Sequence, residues 1–257
     1  MESSILTRSN ASVVSPLVGS PKSQDTDPIE DNGFYNISGG VARYDARTLQ
    51  LAQGDPVAAW ADASEQLGDA VQDVTARQPT YSAALPGVVF PGGGAHHLRL
   101  PNQLAFDEFS AFTIVCLVNR HERSAPTGML FGLGEIAGGQ PWGVYHLTLG
   151  RASSIISGTQ EISVSDAWPV GLGVIDLTMQ GFAGTFSLDG VQLVPTTNTS
   201  DVPTQAVAPS MGANLSPGGA VSLPLTGTVH DIMFFDRALS PAEHSTLRAA
   251  LNQDWGI

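Results

Sequence analysis

The carboxylates of this chain do not form the pair that cleaves a sugar bond from one strand. Side chains alternate between the two faces of a strand, so an acid and a nucleophile on one face must be an even number of residues apart. Glu161 and Asp166 are 5 residues apart, as are Asp231 and Asp236. The pattern Glu-x-Asp-x-Glu is absent. We therefore expect no hydrolase activity of this kind, and the sequence predicts that the protein is not an enzyme.

Serine, histidine and glycine patterns also lack the spacing that chemistry requires. The nucleophilic turn Gly-x-Ser-x-Gly is absent. His96 and His97 are adjacent, so they face opposite sides of a strand and cannot both bind one zinc ion. The glycines of Gly92–Gly94 and Gly138–Gly139 do not precede a helix, so a phosphate cradle is not expected.

Trp142 is the aromatic residue that core packing explains least. It lies between glycines in the segment Gly138–Gly143, which we interpret as a loop, and Gln140 is close to it. An exposed aromatic ring beside polar groups can stack on the apolar face of a sugar. We expect Trp142 and Gln140 to contact a glycan. The alternative is a turn residue that folds back on a sheet.

The elements that would position these residues are short strands. The chain has 257 residues with 42% hydrophobic residues, 28 glycines and 17 prolines, which favours one large all-β domain. Apolar runs between turn residues predict strands at 88–90, 98–100, 113–118, 129–133, 144–149, 153–157, 161–164, 174–179, 184–188, 191–194, 207–212 and 226–235. The single cysteine, Cys116, lies in such a run and is expected to be buried. We also expect Trp60, Trp168 and Trp255 to be buried.

Two local signals are specific. Asp189-Gly190 between apolar runs predicts a two-residue hairpin turn, because both residues tolerate positive φ. Ser240, Pro241 and Glu243 predict the start of a helix with a capping box, and this helix would end near Trp255.

Residues 1–41 lack any periodicity and are rich in Ser, Pro, Asp and Asn. We interpret them as an extended arm that orders only in an assembly, where it anchors the protein to partners or to its own copies, as in a homo-oligomer such as a trimer. The domain itself would span 42–257 and fold without the arm.

The charge of the chain excludes several partners. The formal net charge is −13, from 24 acidic and 11 basic residues, so the surface repels nucleic acid and anionic lipid.

No apolar segment has the length of a membrane span, and no signal peptide is visible at the N-terminus.

Several blocks resemble one known family. They are Tyr44–Arg47, Trp60–Ser64, Gly68–Ala70, Arg77–Tyr81, Val89–Gly92, Ser187–Gly190, Gly227–Glu243 and Asp254–Ile257. Together they resemble the laminin-G-like members of the concanavalin A-like lectin/glucanase superfamily over about residues 42–257. The resemblance implies a jelly-roll sandwich of two antiparallel sheets with one C-terminal helix.

The resemblance also implies which cofactor to consider. Laminin-G-like domains often bind calcium, and Asp62, Asp69 and Asp73 lie in one loop region here. The family's Gly-Asn-Gly is replaced by Glu65-Gln66-Leu67, so this loop cannot follow the same glycine-dependent path. We expect no cofactor, and calcium at these three residues is the alternative that the resemblance leaves open.

The family implies recognition of glycans or protein surfaces. Such domains act outside cells, and a virion protein needs no signal peptide because it is made in the host cytoplasm and released by lysis. We therefore expect a non-catalytic structural protein of a tailed bacteriophage, a decoration or fibre protein that contacts other virion proteins and host-surface glycan. One alternative is a bacterial adhesin or carbohydrate-binding module at the cell surface without a cleaved signal. Another is a polysaccharide-active enzyme with an unrecognised site.

Overall fold

The computed structural model describes residues 34–104, 111–120, 127–136, 140–147, 154–157, 160–163, 171–180, 183–197, 209–216 and 218–257. The strands in chain order are β1 (Gly40–Asp45), β2 (Ala59–Trp60), β3 (Ala70–Val71), β4 (Thr80–Ser82), β5 (Gly87–Pro91), β6 (Leu98–Arg99), β7 (Ala111–Arg120), β8 (Thr127–Ile136), β9 (Gln140–Leu147), β10 (Ser154–Ser157), β11 (Gln160–Ser163), β12 (Gly171–Gln180), β13 (Ala183–Leu188), β14 (Val191–Thr197), β15 (Ser210–Met211), β16 (Asn214–Leu215), β17 (Val221–Ser222) and β18 (Thr226–Phe235). The helices are α1 (Pro241–Trp255) and short 3-10 helices at Phe34–Asn36, Ala46–Thr48, Thr75–Arg77 and Asn102–Leu104.

These strands form two antiparallel sheets, which confirms the all-β sandwich. Sheet A has the order β14-β13-β12-β7-β18-β5-β4, with β1 also paired to β18. Sheet B has the order β11-β10-β9-β8-β15-β6-β3-β2, and β16 and β17 form a separate pair. Each predicted apolar run overlaps one of these strands, and the run 226–235 coincides with β18. Residues 148–149, 153, 164 and 207–208 of these runs lie outside the described residues.

The core lies between the two sheets. Phe234 of sheet A packs edge to face on Phe131 of sheet B, with ring centroids 6.3 Å apart, and on Tyr44 of β1 at the same separation. Trp60, Trp255 and Cys116 are buried as expected, whereas Trp168 lies outside the described residues. Alternate residues of β18 point away from this core toward α1, and they include Asp231.

The central strand β18 has three neighbours. β7 pairs along one edge, with Gly227 opposite Arg120 and Phe235 opposite Thr113. The other edge is shared, because β5 pairs with residues 226–229 and β1 pairs with residues 231–235. The first strand of the sandwich is therefore fixed by the last one.

The boundary expected between an arm of residues 1–41 and a domain of residues 42–257 does not match the structure. Phe34 is 1% exposed and packs on Phe235 with ring centroids 5.3 Å apart. Ile37 is also buried, and β1 begins at Gly40, so the sandwich includes residues from Phe34 onward. Sequence reasoning missed this because two apolar side chains in a polar segment have no periodicity. Residues 1–33 lie outside the described residues, and an anchoring role for the arm stays a prediction.

Both local signals are confirmed. Asp189 and Gly190 have φ values of 49° and 82° and connect β13 to β14. Ser240 caps α1 in a capping box with Glu243. Among the described residues, no helix combines the length and hydropathy needed to cross a bilayer.

Candidate functional site

The outer face of sheet B includes strand β9, which carries the predicted glycan residues. Leu98 is fully buried and pairs with Met211, which pairs with Phe131 of the core, so this row of residues faces inward. The next row faces outward, because directly paired residues share a face and neighbours along a strand alternate. In strand order from β3 to β9, the outward row is Val71, Arg99, Ser210, Gly132 and Gly143. We call this surface the sheet B face.

Small residues occupy the centre of the sheet B face because another segment approaches it closely. A Cβ atom at Gly132 would lie 3.3 Å from Oδ1 of Asn214 and 3.3 Å from Oγ of Ser210. Ser210 Oγ donates to the carbonyl of Ala213 at 2.7 Å. The β16–β17 pair therefore lies against this part of the face, and the surface that it leaves available extends toward Arg99 on one side and Gly143 on the other.

Gln140 and Trp142 lie in strand β9, so the expectation that they occupy a loop is wrong. Gln140 pairs with Ile136, and Trp142 pairs with Gly134 of β8. The β8–β9 pairing continues through these positions, which a glycine-rich sequence does not signal. Trp142 immediately precedes Gly143 of the sheet B face in the chain. The side chains of β9 are outside the described part, and their contact with a glycan stays a prediction.

His97 anchors the segment that carries Arg99. Its ring is buried, Nδ1 donates to the carbonyl of Ala95 at 2.7 Å, and Nε2 therefore accepts from the amide of Gln72 at 2.8 Å. Burial lowers the pKa of His97, and the carbonyl of Ala95 opposes this effect. Arg77, Arg99 and His96 lower the pKa further, so a neutral ring is held beside a group of basic residues.

The three residues considered as calcium candidates have different contacts. Asp62 is buried, and its carboxylate accepts hydrogen bonds from the backbone N–H groups of Arg43, Ser64 and Leu67, each at 2.9 Å. Burial alone would raise the pKa of Asp62, but these donors outweigh it and the pKa is lowered. Asp69 accepts only a long bond, 3.4 Å, from the N–H of Asp62.

The third calcium candidate, Asp73, lies at the surface. Asp73 forms an ion pair with Arg99 at the surface. In the part of the chain that the structure describes, no group of three His, Cys, Asp or Glu side chains is placed to hold a metal ion. Asp62, Asp69 and Asp73 are therefore not brought together, and the carboxylate of Asp62 organises its own loop.

A buried ion-pair network beneath the end of α1 was missed by sequence reasoning. The Arg43 guanidinium donates to both carboxylate oxygens of Asp231, at 3.1 and 2.6 Å, and lies 3.5 Å from Asp45. Arg47 pairs with Asp45 at 2.6 Å and with Asp254 of α1 at 3.4 Å. Burial raises the pKa of Asp231, and Arg43 opposes that rise.

The position of this network restricts what it can do. Arg43 and Asp231 are each no more than 2% exposed, so a substrate cannot reach them. The network instead joins β1, β18 and α1. The signal in the sequence was Asp231 itself, the one acidic residue of a strand that is buried along almost its whole length.

A second network lies beneath the start of α1. Asp176 lies 3.3 Å from Nδ1 of His244, whose Nε2 is 2.9 Å from Oγ1 of Thr178. Such an Asp–His–hydroxyl chain can activate a nucleophile. Here Asp176 also accepts from Arg248 and Ser187, at 2.9 and 2.8 Å, so its charge is already compensated. We interpret this network as the contact that fixes α1 on sheet A.

The solved structures that share this fold include domains of carbohydrate-active enzymes. Trypanosoma rangeli sialidase in complex with sialic acid matches with a TM-score of 0.56 and 19% identity, over 85% of this chain and 33% of the sialidase. Domain 4 of AbnA, a GH43 extracellular arabinanase from Geobacillus stearothermophilus, in complex with arabinotriose, matches with a TM-score of 0.54 and 17% identity, over 81% of this chain and 98% of that domain. This chain therefore spans about a third of the length of the sialidase chain. No family model and no curated protein sequence matches it.

These comparisons correct the functional expectation. A non-catalytic structural protein of a tailed bacteriophage is contradicted, because the structures with this fold belong to a sialidase and an arabinanase. The expectation that the protein is not an enzyme is contradicted by the same finding. The expected virion location and virion partners rested on the phage hypothesis, and the expected homo-oligomer rested on the N-terminal arm; these expectations stay predictions. At 17–19% identity the likeness establishes the fold, a β-sandwich related to the concanavalin-like jelly roll.

Proposed function

We propose that this chain acts in glycoside hydrolysis, as a sandwich domain that holds a glycan on the sheet B face for a carbohydrate-active enzyme. The observation that carries the proposal is the match to nearly the whole of an arabinanase domain that was solved with an oligosaccharide bound. The sequence blocks at Gly227–Glu243 and Asp254–Ile257 support a place near the laminin-G-like members of this fold class.

The geometry of the sheet B face supports this role. Gly143 on β9 lies beside Gly132, on the side of the row that the β16–β17 pair leaves available, and as a glycine it has no side chain that projects from the face. A flat region of this kind admits a sugar ring, whose apolar face needs a broad contact surface. Arg99 at one end of the row offers hydrogen-bond donors, since its side chain is 44% exposed. Polar groups around an apolar floor are the usual composition of a sugar site.

Glycan binding and hydrolysis test the proposal separately. We expect the purified chain to bind arabino-oligosaccharides or acidic oligosaccharides in calorimetric titrations. Arg99→Ala should reduce the affinity about tenfold, equivalent to about 1.4 kcal/mol, because hydrogen-bond donors to the sugar are lost. Val191→Ala is the matched control, since Val191 is 64% exposed on the edge of sheet A and should not affect binding.

Reducing-sugar release from the same glycans measures hydrolysis by the chain itself. Binding accompanied by release would assign the reaction to this chain, and binding alone would assign it a substrate-holding role within a larger enzyme. Failure to bind any glycan in an array of neutral and acidic oligosaccharides would refute the proposal. An unchanged melting temperature in both variants would show that the affinities compare folded proteins.

A further inference from the structure

Arg77 differs from the other arginines whose side chains the structure describes. The other five each form an ion pair with a carboxylate: Arg43, Arg47, Arg99, Arg237 and Arg248. For Arg77 the described residues provide no carboxylate within 4.0 Å. In a chain with a net charge of −13, an arginine without a carboxylate partner requires an explanation.

The backbone brings Arg77 close to other basic residues at the edge of the sheet B face. Arg77 ends a 3-10 helix, and its carbonyl accepts from the N–H of His97 at 3.2 Å. The ring of His96 bonds to the carbonyl of Gln78 through Nδ1 at 2.9 Å. Arg99 follows two residues after His97, on the outward side of β6. Three basic side chains therefore come from two segments that are joined by hydrogen bonds.

The electrostatics of this group agree with its geometry. The pKa of the buried His97 ring is lowered by the charges of three nearby residues, Arg77, Arg99 and His96. The carboxylate that the structure places here is Asp73, which is 76% exposed and bonds to Arg99. A surface ion pair as exposed as this contributes little, so a second anion can join or replace Asp73 at small cost.

We infer that Arg77, Arg99 and His96 form a subsite for the carboxylate of an acidic sugar such as a uronic acid. A guanidinium presents paired N–H donors that match the two oxygens of a carboxylate, which a lysine cannot do. The net charge of −13 disfavours a polyanion such as nucleic acid, which is repelled by the surface as a whole. A single carboxylate on a sugar ring interacts mainly with the basic side chains next to it. This inference rests on the proposed function, because the sugar ring would lie on the sheet B face.

The test compares one sugar with and without its charge. Trigalacturonic acid and its methyl ester have the same rings and differ in the carboxylates, so their affinities isolate the charge. We expect the acid to bind at least tenfold more tightly than the ester. Arg77→Gln should abolish this preference while leaving ester binding unchanged, and Arg77→Lys should restore only part of it. The described Arg77 side chain makes no hydrogen bond, so neither variant should alter the melting temperature.

Arg237→Gln is the control for net charge, since it removes the same charge next to Glu243 at the start of α1. It should keep the preference for the acid. Equal affinities for acid and ester, or a preference that persists in Arg77→Gln, would overturn the inference and leave glycan binding intact. Failure of both sugars and of the neutral oligosaccharides to bind would instead refute the proposed function and this inference with it.

Discussion

At the scale of single residues, Asp62 illustrates how one carboxylate can organise a loop without a metal ion. Its two oxygens accept hydrogen bonds from backbone N–H groups before and within the loop 62–68, including those of Arg43 and Leu67. Glu65 has a positive φ of 58° in this loop, a conformation that glycine adopts far more readily than glutamate. The hydrogen bonds to Asp62 stabilise a path that Glu65 alone would disfavour.

We expect Asp62→Ala to lower the free energy of unfolding by about 2–4 kcal/mol, because several buried backbone donors lose their acceptor. Chemical denaturation at pH 7 would measure the change. Asp69→Asn is the control, since Asp69 is exposed and accepts only one long bond.

The same residue makes stability depend on pH. The pKa of Asp62 is lower in the folded protein, so its contribution is present above the unfolded pKa of about 3.9 and is lost as the pH falls through the folded pKa. The difference between wild type and Asp62→Asn should therefore be constant above about pH 5 and shrink below about pH 4. A difference that stays constant down to pH 2 would contradict this assignment.

The sequence showed which residue types are present, but it did not show which residues, far apart in the chain, the fold brings into contact. Asp62 was noticed as a loop acid, yet its role depends on backbone atoms that no motif specifies. Arg43 and Asp231 are 188 positions apart, and no local pattern links them. The basic group at Arg77 and Arg99 depends in the same way on the pairing of the 3-10 helix with β6.

At the scale of elements, prediction succeeded where the signals were local. Ser240, Pro241 and Glu243 determine where α1 begins, and Asp189-Gly190 determines the hairpin, because each signal acts within four residues. Strands of two residues, such as β2 and β3, were missed because they exist only through pairing with distant segments. Trp142 was assigned to a loop for a related reason, since only pairing with β8 extends β9 through its position.

The close approach of Gly212, which follows β15, to Phe90 of sheet A leads to a prediction about packing. Gly212 has a φ of 86°, and a Cβ atom there would lie 2.2 Å from the ring of Phe90. We expect Gly212→Ala to cost about 2–5 kcal/mol, from the left-handed backbone and from overpacking. Gly54→Ala is a matched control, because Gly54 has a φ of 85° and open space around it, and it should cost only about 1–2 kcal/mol. Equal losses in thermal unfolding would show that the sheets can separate to admit the methyl group.

At the scale of the whole molecule, the sandwich depends on the residues that precede its first strand. Phe34 fills a space between Gly40 and Phe235, and a Cβ atom at Gly40 would lie 2.6 Å from the Phe34 ring. Loss of a buried phenylalanine typically costs about 3–5 kcal/mol. We expect a chain starting at residue 34 to be more stable than one starting at residue 41 by at least about 3 kcal/mol.

Phe34→Ala in the full chain separates packing from chain length, and it should reproduce most of that loss. Denaturant unfolding of the three proteins makes the comparison. Equal midpoints for the two shortened chains would restore the boundary expected from the sequence.

The shared edge of β18 also has a consequence for the time at which the protein can fold. β1 is made early on the ribosome, but its partner Asp231 follows Arg43 by 188 residues. At roughly 5–20 residues per second, β1 waits on the order of ten to forty seconds for the strand that joins it to the sheet, and β5 and β7 wait for shorter times. During that interval their edges and apolar faces are open to other nascent chains. We expect a need for chaperones during synthesis, and the emergence of β18 from the ribosome is the event that allows the sandwich to close.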